Sequence, residues 1–142
     1  MISVVVPTHN RANDLRNCLQ AINAAKGVVD FEIVVVLNNC TDNSLDVAMG
    51  FHGVTVVEEG NTAFPRARDA GVSASRGDIL LFLDDDAEIW MSSLPVLQES
   101  FAANPSMGIL AGRIEPRFVE DPPEWATECQ RTRNAWSLLR PF

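Results

Sequence analysis

Short runs of apolar residues alternate along the chain with longer stretches in which apolar residues recur every three or four positions. The apolar runs predict strands over residues 2–6, 31–37, 54–57 and 79–83. The longer stretches predict helices over residues 12–25, 44–51, 64–75 and 94–103. Strands that alternate with helices at this spacing indicate an α/β domain, with a mostly parallel sheet and helices on both of its faces.

Prolines and glycines set several of the expected boundaries. Pro7 has no N–H to donate to a sheet ladder, so we expect the first strand to end before it. A further short strand is predicted over residues 109–111, just before Gly112. After Gly112 the pattern decays into an acidic, proline-rich loop at residues 120–124, and helical potential returns only from Trp125 onward.

Three consecutive carboxylates, Asp84, Asp85 and Asp86, follow the apolar run at residues 79–83, and we refer to them as the acidic triplet. That run is long enough for a strand buried on both faces. Side chains alternate in direction along an extended chain, so we expect Asp84 and Asp86 to share one side while Asp85 points away. Two such carboxylates repel each other unless a proton or a cation lies between them, and Mg2+ and Mn2+ prefer oxygen ligands. The simpler alternative is a solvated acidic loop that caps the next helix.

Polar turns follow three of the predicted strands, at residues 7–10, 38–39 and 84–86. The strands of a parallel sheet end at the same edge, and ligands bind at that edge in open α/β sheets. We therefore expect these three turns to form one site. Arg66 and Arg68, near the start of a predicted helix, either reach an anionic ligand at this site or face the solvent.

The composition narrows the class of protein and its partners. The chain has 142 residues, 46% of them hydrophobic, which is typical of one globular domain. The net charge of −8 and the pI of about 4.6 argue against nucleic acid as a partner. An anionic ligand would need a metal ion or local arginines to offset that negative charge.

The cysteines and the lengths of the apolar runs indicate the cellular compartment of the protein. The three cysteines are odd in number and lack the CxxC spacing, so neither a disulfide framework nor a zinc site is expected. No apolar run is long enough to span a membrane, and the N-terminus begins with a strand rather than a signal peptide. We expect a cytoplasmic protein, either free or peripheral at the inner face of the membrane.

An ordered set of motifs then points to a family. The stretch from Ser3 to Arg11, with the sequence SVVVPTHNR, is followed by a second strand and its turn, FEIVVV and NNCTDNS. Further along come ARDAGV at residues 67–72, LDDD at residues 83–86, AGRI at residues 111–114 and PEW at residues 123–125. Over about residues 1–125 this ordered set resembles family 2 glycosyltransferases of the GT-A fold, and LDDD is similar to the DxD motif of that family.

The resemblance implies a Rossmann-like GT-A domain that transfers a sugar from a nucleotide-diphosphate donor with the help of Mg2+ or Mn2+. It implies that the turn from Pro7 to Asn10 lines the pocket for the base, largely through its backbone. It also implies that Asn38 stands where the family usually has an aspartate that binds the base. The implied nucleotide-binding residues are Pro7, Thr8, Asn10, Asn38, Arg68, Asp84 and Asp85. The implied metal ligands are Asp84 and Asp86.

The chain departs from the family pattern in two ways, at the end of the second strand and in its length. Leu37 replaces an acidic residue that is common at the end of the second strand, and Asn38 is an amide. Family members also continue well beyond this length. We therefore expect residues 1–115 to form the nucleotide-sugar-binding domain, and residues 116–142 to begin an acceptor-binding half that is truncated at the C-terminus. The catalytic base is expected to lie in the missing part, so it is unassigned.

The identity of the acceptor is not assigned: a glycan, a lipid and other molecules are all alternatives. The aromatic residues Trp125, Trp136 and Phe142 suggest self-association through the C-terminal segment. Two alternatives to an active transferase stand beside it. One is a nucleotide-sugar-binding remnant without turnover. The other is a Mg2+-dependent phosphatase or nucleotidyltransferase, although a phosphatase of that kind would carry its aspartate pair after the first strand, where this chain has Pro7 to Asn10.

Overall fold

The first of the two units into which the chain divides, Met1–Gly108, is built from alternating strands and helices. A computed structural model describes residues 1–25, 27, 29–60, 63–118 and 120–124. The elements in chain order are β1 (Ile2–Thr8), α1 (Ala12–Ala24), β2 (Phe31–Asn38), α2 (Ser44–Met49), β3 (Val54–Glu59), α3 (Phe64–Ala74), β4 (Ile79–Phe82) and α4 (Ser93–Ala103). None of the described helices is both long and apolar enough to cross a membrane.

The four described strands run parallel in one sheet, in the order β3-β2-β1-β4. β1 is central and pairs with β2 along its whole length, from Ile2 opposite Phe31 to Thr8 opposite Leu37. On its other side β1 pairs with β4 only from Ile2 to Val5. The predicted parallel sheet is confirmed, and its strands all end at the same edge.

Helices cover both faces of the sheet, as the sequence pattern predicts. On one face α1, α2 and α4 pack around a core that includes Val4, Leu19 and Leu94. On the other face Ala67 of α3 packs in a second, smaller core that includes Val5. Val4 and Val5 lie in different cores because successive side chains of a strand point to opposite faces of the sheet.

The close approach of α3 to the sheet depends on Gly71. A Cβ atom at this position would overlap the side chain of Val5 and would lie 3.2 Å from Cγ2 of Val36. The glycine therefore lets the helix backbone lie directly on β1 and β2. Because Arg68 lies about one turn earlier on the same helix, this packing also sets how near Arg68 comes to the edge of the sheet.

β1 continues through Pro7 to Thr8, so the prediction that the strand ends before the proline is wrong. The register explains why the missing N–H is tolerated. The carbonyl of Val5 accepts a 3.0 Å hydrogen bond from the N–H of Leu83, so it faces β4. Two residues later the nitrogen of Pro7 faces the same way, but the pairing of β4 has already ended at Phe82.

β4 differs from its prediction in both length and burial. It ends at Phe82 rather than at residue 83, and Leu80 and Phe82 are exposed on one face. The expected burial on both faces is wrong because α3, the helix on that side of the sheet, packs mainly on β1, β2 and β3 and leaves this face of β4 uncovered. Its other face, which carries Ile79 and Leu81, packs against the core that includes Leu94 of α4.

The second unit, Ile109–Phe142, is described at residues 109–118 and 120–124. The strand predicted over residues 109–111 is wrong, because these residues are irregular and Ile109 is exposed. A run of three apolar residues is at the short limit for a strand and offers few ladder bonds. The self-association predicted for the C-terminal aromatic residues concerns positions outside those that the structure describes.

Candidate functional site

A cleft of about 430 Å³ opens at the edge of the sheet where the parallel strands end. Its walls come from the turn after β1, the end of β2 and the acidic triplet after β4. The lining residues are Pro7, Thr8, His9, Arg11, Asn38, Asp84, Asp85 and Asp86. The polar turns that the sequence analysis expected to meet therefore do meet in one cleft.

The acidic triplet lies in a turn, closed by a 3.0 Å backbone hydrogen bond to the carbonyl of Asp84, after β4 has ended. The alternation of side chains along an extended chain therefore does not apply. The expected separation of Asp85 from Asp86 is wrong, because one nitrogen of Arg11 contacts both carboxylates. Asp84 faces Arg68 instead.

Asp85 is the buried member of the triplet. Its side chain is 7% exposed, compared with 63% for Asp84 and 52% for Asp86. The hydroxyl of Thr8 donates a 2.6 Å hydrogen bond to Oδ2 of Asp85, and Arg11 donates to Oδ1. Burial raises the pKa of Asp85 above its usual range, while Thr8 and Arg11 act in the opposite direction. Asp85 anchors the turn, and Asp84 and Asp86 present their oxygens to the solvent.

Arg11 is the lining residue that the sequence interpretation left out of the site. It is the N-cap residue of α1, and its Nη1 lies 3.1 Å from Oδ1 of Asp85 and 3.0 Å from Oδ2 of Asp86. Its Nε lies 3.2 Å from Oδ2 of Asp14 on the same helix. The charge of Asp85 contributes most to raising the pKa of Arg11. The available signal was its place directly after the first polar turn, which puts it at the same edge as the acidic triplet.

Arg68 lies beside the acidic triplet. Its Nη2 is 3.6 Å from Oδ1 of Asp84, and its guanidinium carbon lies 5.5 Å from the centre of the Phe82 ring. Stacking on an aromatic ring favours this position of the guanidinium. The side chain of Arg68 is half exposed and lies next to Asp84. Its contact with an anionic ligand stays a prediction, and Arg66 is exposed.

Asn10 does not line the cleft, but its side chain holds two of the turns that form the cleft wall. Its backbone is left-handed, with φ of 54°, and its Oδ1 accepts hydrogen bonds from the N–H of Thr41 at 2.6 Å and of Asp42 at 3.2 Å. Asp42 in turn accepts 3.0 Å bonds from the N–H of Ala12 and of Ser44, where α1 and α2 begin. These bonds join the turns that follow β1 and β2. The side chain of Asn10 therefore positions the cleft wall, and the contact of its turn with the nucleotide stays a prediction.

Asn38 forms the cleft wall at the end of β2. It is almost fully buried, and Nδ1 of His9 lies 2.6 Å from its carbonyl oxygen. Because a carbonyl oxygen only accepts hydrogen bonds, this contact assigns a proton to Nδ1. Nε2 of a neutral His9 ring is then an acceptor. The contact holds the two turns together, and the role of Asn38 in reading the base stays a prediction.

Cys18 of α1 packs against the acidic triplet. It is buried, and its Sγ donates a weak 3.8 Å hydrogen bond to the carbonyl of Asp84. Burial raises the pKa of the thiol to about 12, and the carboxylates of the triplet act in the same direction. The thiol therefore stays protonated at neutral pH and serves as a small apolar packing group.

The cleft offers oxygen ligands suited to a divalent cation. Asp84 and Asp86 are exposed carboxylates, and the guanidinium of Arg11 already places a positive charge beside Asp86. Among the residues that the structure describes, no group of three or more His, Cys, Asp or Glu side chains is arranged to hold a metal ion. A cation here would complete its coordination with oxygens of water or of a bound phosphate, which is how Mg2+ is usually held. The carboxylates present fit such a shared site.

The sequence matches the profile of a family described as "Glycosyl transferase family 2" over residues 3–140. The chain belongs to this family. One curated relative is Glycosyltransferase GlyA of Streptococcus pneumoniae, which is 34% identical over 89 residues, or 60% of this chain and 13% of that protein. Membership of the family decides against the phosphatase or nucleotidyltransferase alternative.

Two solved structures of similar proteins support the GT-A fold. TarS from S. aureus, solved with UDP-GlcNAc, is 25% identical with a TM-score of 0.67, and the match covers 82% of this chain and 37% of that one. Glucosyl-3-phosphoglycerate synthase from Mycobacterium tuberculosis, solved with Mn2+, UDP and glucosyl-3-phosphoglycerate, is 27% identical with a TM-score of 0.57. That match covers 71% of this chain and 39% of the synthase. The present chain thus spans less than two fifths of the length of each of these three relatives.

Proposed function

We propose that this chain is the donor-binding part of a metal-dependent glycosyltransferase, which transfers a sugar from a nucleotide-diphosphate donor to an acceptor. The observation that carries the proposal is the edge of the sheet where the exposed carboxylates of Asp84 and Asp86 lie beside Arg11 and Arg68. Charges of both signs can hold a divalent cation and an anionic diphosphate together. The similar proteins solved with UDP-GlcNAc, and with UDP and Mn2+, support this choice of ligand.

We assign the metal ion to Asp86 and Asp84, with Asp84 also on the side of the ribose and the sugar. When bound, the ion supplies Lewis acid chemistry that stabilises the leaving nucleotide diphosphate. Mn2+ is the first choice because a similar protein was solved with it, and Mg2+ suits the same oxygen ligands. Asp85 and Thr8 hold the turn that carries both ligands, and Arg68 is placed to contact the diphosphate.

We assign recognition of the base to Asn38 and to the turn at Pro7 and Thr8. An amide both donates and accepts hydrogen bonds, whereas the aspartate usual in the family only accepts. Asn38→Asp should therefore change the rank order in which UDP, GDP, CDP and ADP bind more than it changes the stability of the fold. An unchanged rank order would remove Asn38 from recognition of the base.

Isothermal titration calorimetry with UDP and GDP tests the donor and metal assignments. We expect Mn2+ to strengthen binding, EDTA to remove that gain, and Asp86→Asn to remove most of it. Asp30→Asn is the matched control, because Asp30 is an exposed aspartate at the start of β2, on the opposite edge of the sheet. Equal affinities in Mn2+ and EDTA would contradict the metal assignment. An equal loss of affinity in both variants would show that the effect comes from the change in net charge.

Sugar transfer is tested by the release of UDP from UDP-sugars in Mn2+, with a panel of glycan and lipid acceptors. Multiple turnover that Asp86→Asn abolishes would support the transferase. Donor binding without transfer would support the second candidate, a nucleotide-sugar-binding protein without turnover. That second candidate is kept because this chain spans less than two fifths of the length of each relative described above.

We also propose a cytoplasmic location for the protein. The thiols of Cys18 and Cys40 are free in the described part of the chain, which suits a reducing compartment. A lipid acceptor would bring the protein to the inner face of the membrane. Cell fractionation with an antibody against the chain tests this location, and recovery from an oxidising compartment would contradict it.

A further inference from the structure

In the described part of the chain, Asp86 contacts the guanidinium of Arg11. We propose that Arg11 holds Asp86 while no metal ion is bound and releases it when Mg2+ or Mn2+ binds, so that metal loading depends on the nucleotide diphosphate. This inference rests on the proposed function and describes a regulation of the same site. The contacts of Arg11 and the burial of its partners carry it.

Arg11 lies among three carboxylates. Its Nη1 is shared between Asp85 at 3.1 Å and Asp86 at 3.0 Å, and its Nε contacts Asp14 at 3.2 Å. The side chain is 47% exposed and lines the cleft, so it has room to move toward the solvent or toward a ligand. A single positive charge thus stabilises the part of the acidic triplet to which we assign the metal ion.

The three contacts of Arg11 differ in what their loss would cost. Asp85 is buried, and removing the cation from a buried carboxylate is strongly unfavourable. Asp86 is half exposed, and an exposed ion pair is worth little because water solvates both partners. Asp14 is also half exposed, but it lies three residues away on the same helix and stays within reach. Arg11 can therefore give up Asp86 while it keeps Asp85 and Asp14.

Two cations compete for one carboxylate in this arrangement. A divalent ion at Asp86 would lie close to the guanidinium, and like charges repel each other. The diphosphate of a donor would offset this repulsion because it brings negative charge to both cations. We therefore expect Mn2+ to bind weakly alone and more tightly with UDP, and UDP to gain by the same factor from Mn2+.

The binding of Mn2+, measured from the electron paramagnetic resonance signal of the free ion, tests the proposal without any assay of turnover. Arg11→Gln is compared with Arg16→Gln, since Arg16 is an exposed arginine of α1 and its loss changes the net charge equally. Without nucleotide, we expect Arg11→Gln to bind Mn2+ roughly tenfold more tightly than Arg16→Gln. We also expect UDP to strengthen Mn2+ binding less in Arg11→Gln than in the unsubstituted chain. Equal Mn2+ affinities in the two variants would overturn the proposal.

A second measurement uses the unsubstituted chain, because Arg11→Gln leaves the buried Asp85 without its cation and can fail to fold. Nitrogen NMR follows the side-chain Nη signals of the arginines while Mg2+ and UDP are added, because Nη1 of Arg11 makes the contact with Asp86. We expect the signal of Arg11 to shift along the binding curve and that of Arg16 to stay unchanged. A signal of Arg11 that stays fixed while Mg2+ and UDP bind would overturn the proposal.

Asp86→Asn separates this inference from the proposed function. If Mn2+ and UDP do not bind to the unsubstituted chain, or bind equally well to Asp86→Asn, the proposed function fails and this inference fails with it. If Mn2+ and UDP bind through Asp86 but the loss of Arg11 changes neither affinity nor coupling, only the role of Arg11 fails.

Discussion

The hydroxyl of Thr8 donates a 2.6 Å hydrogen bond to Oδ2 of Asp85, although 77 positions separate the two residues in the sequence. Both partners are buried, and they join the end of the central strand β1 to the turn that carries the acidic triplet. The bond fixes the turn to the rigid part of the sheet. Asp84 and Asp86, on either side of Asp85, are positioned through it.

Thr8→Val tests this connection with a side chain of nearly the same shape. The substitution removes the donor and leaves a buried carboxylate with one partner fewer, so we expect the free energy of unfolding to fall by about 1.5–3 kcal/mol. Urea denaturation measures the change. Thr55→Val is the control, because Thr55 is exposed on β3 and should change stability by less than about 0.5 kcal/mol. Equal effects of the two substitutions would show that the bond contributes little.

Glu32 gives a prediction about pH at the opposite edge of the sheet. Its buried carboxylate accepts hydrogen bonds from the hydroxyl of Ser3 at 2.7 Å and from Nε of Arg76 at 2.9 Å. Burial alone would raise the pKa of Glu32, but the hydrogen bonds from Ser3 and from the backbone and side chain of Arg76, together with the charge of Arg76, hold the pKa below its usual range. The ionised carboxylate therefore stabilises the fold above the pKa of an unfolded glutamate, and this contribution is lost as the pH falls through the lowered pKa.

Glu32→Gln should accordingly destabilise the protein at neutral pH by about 2 kcal/mol and have a smaller effect in acid. The measurement is urea denaturation at a series of pH values from neutral to strongly acidic. Glu99→Gln serves as the control, because Glu99 is exposed on α4. A loss of stability that is the same at every pH would contradict the assignment.

Gly71→Ala tests the packing that brings Arg68 to the site. Alanine is the better helix former, so an exposed position would gain about 1 kcal/mol from this change. Here the added methyl group would overlap Val5, and we expect a loss of about 1–3 kcal/mol instead. Thermal and urea denaturation give the sign directly. A stabilised variant would show that α3 has room to move away from the sheet at little cost.

The fold could be predicted well because it follows from patterns local in the sequence. Each apolar run and each helical stripe gives one element, and the alternation of the two decides a parallel sheet. The errors have physical causes that depend on neighbouring strands. Pro7 stays in β1 because β4 stops pairing before it, and β4 is half exposed because α3 packs mainly on the other three strands. Neither fact can be read from the segment itself.

For the site, it was possible to predict which turns meet but not which side chains contact each other. The acidic triplet was found from its place after a strand, but the contacts within the cleft depend on a turn whose shape the sequence does not show. Arg11 was missed because its partners Asp85 and Asp86 are 74 and 75 positions away. The hydrogen bonds of the Asn10 side chain to the turn after β2 were not predicted either, because they depend on its left-handed backbone.

The central claim is that the cleft at the end of the sheet binds a nucleotide diphosphate through a divalent cation at Asp86. Paramagnetic broadening by Mn2+ in the presence of UDP tests it most directly, because the effect falls steeply with distance and locates the ion. Amide signals at residues 8–12, 38 and 84–87 should broaden. The amide signal of Glu32, six residues from Asn38 along β2 and so roughly 20 Å away, should stay sharp. Broadening that Asp86→Asn leaves unchanged, or that centres on the Glu32 edge, would contradict the claim.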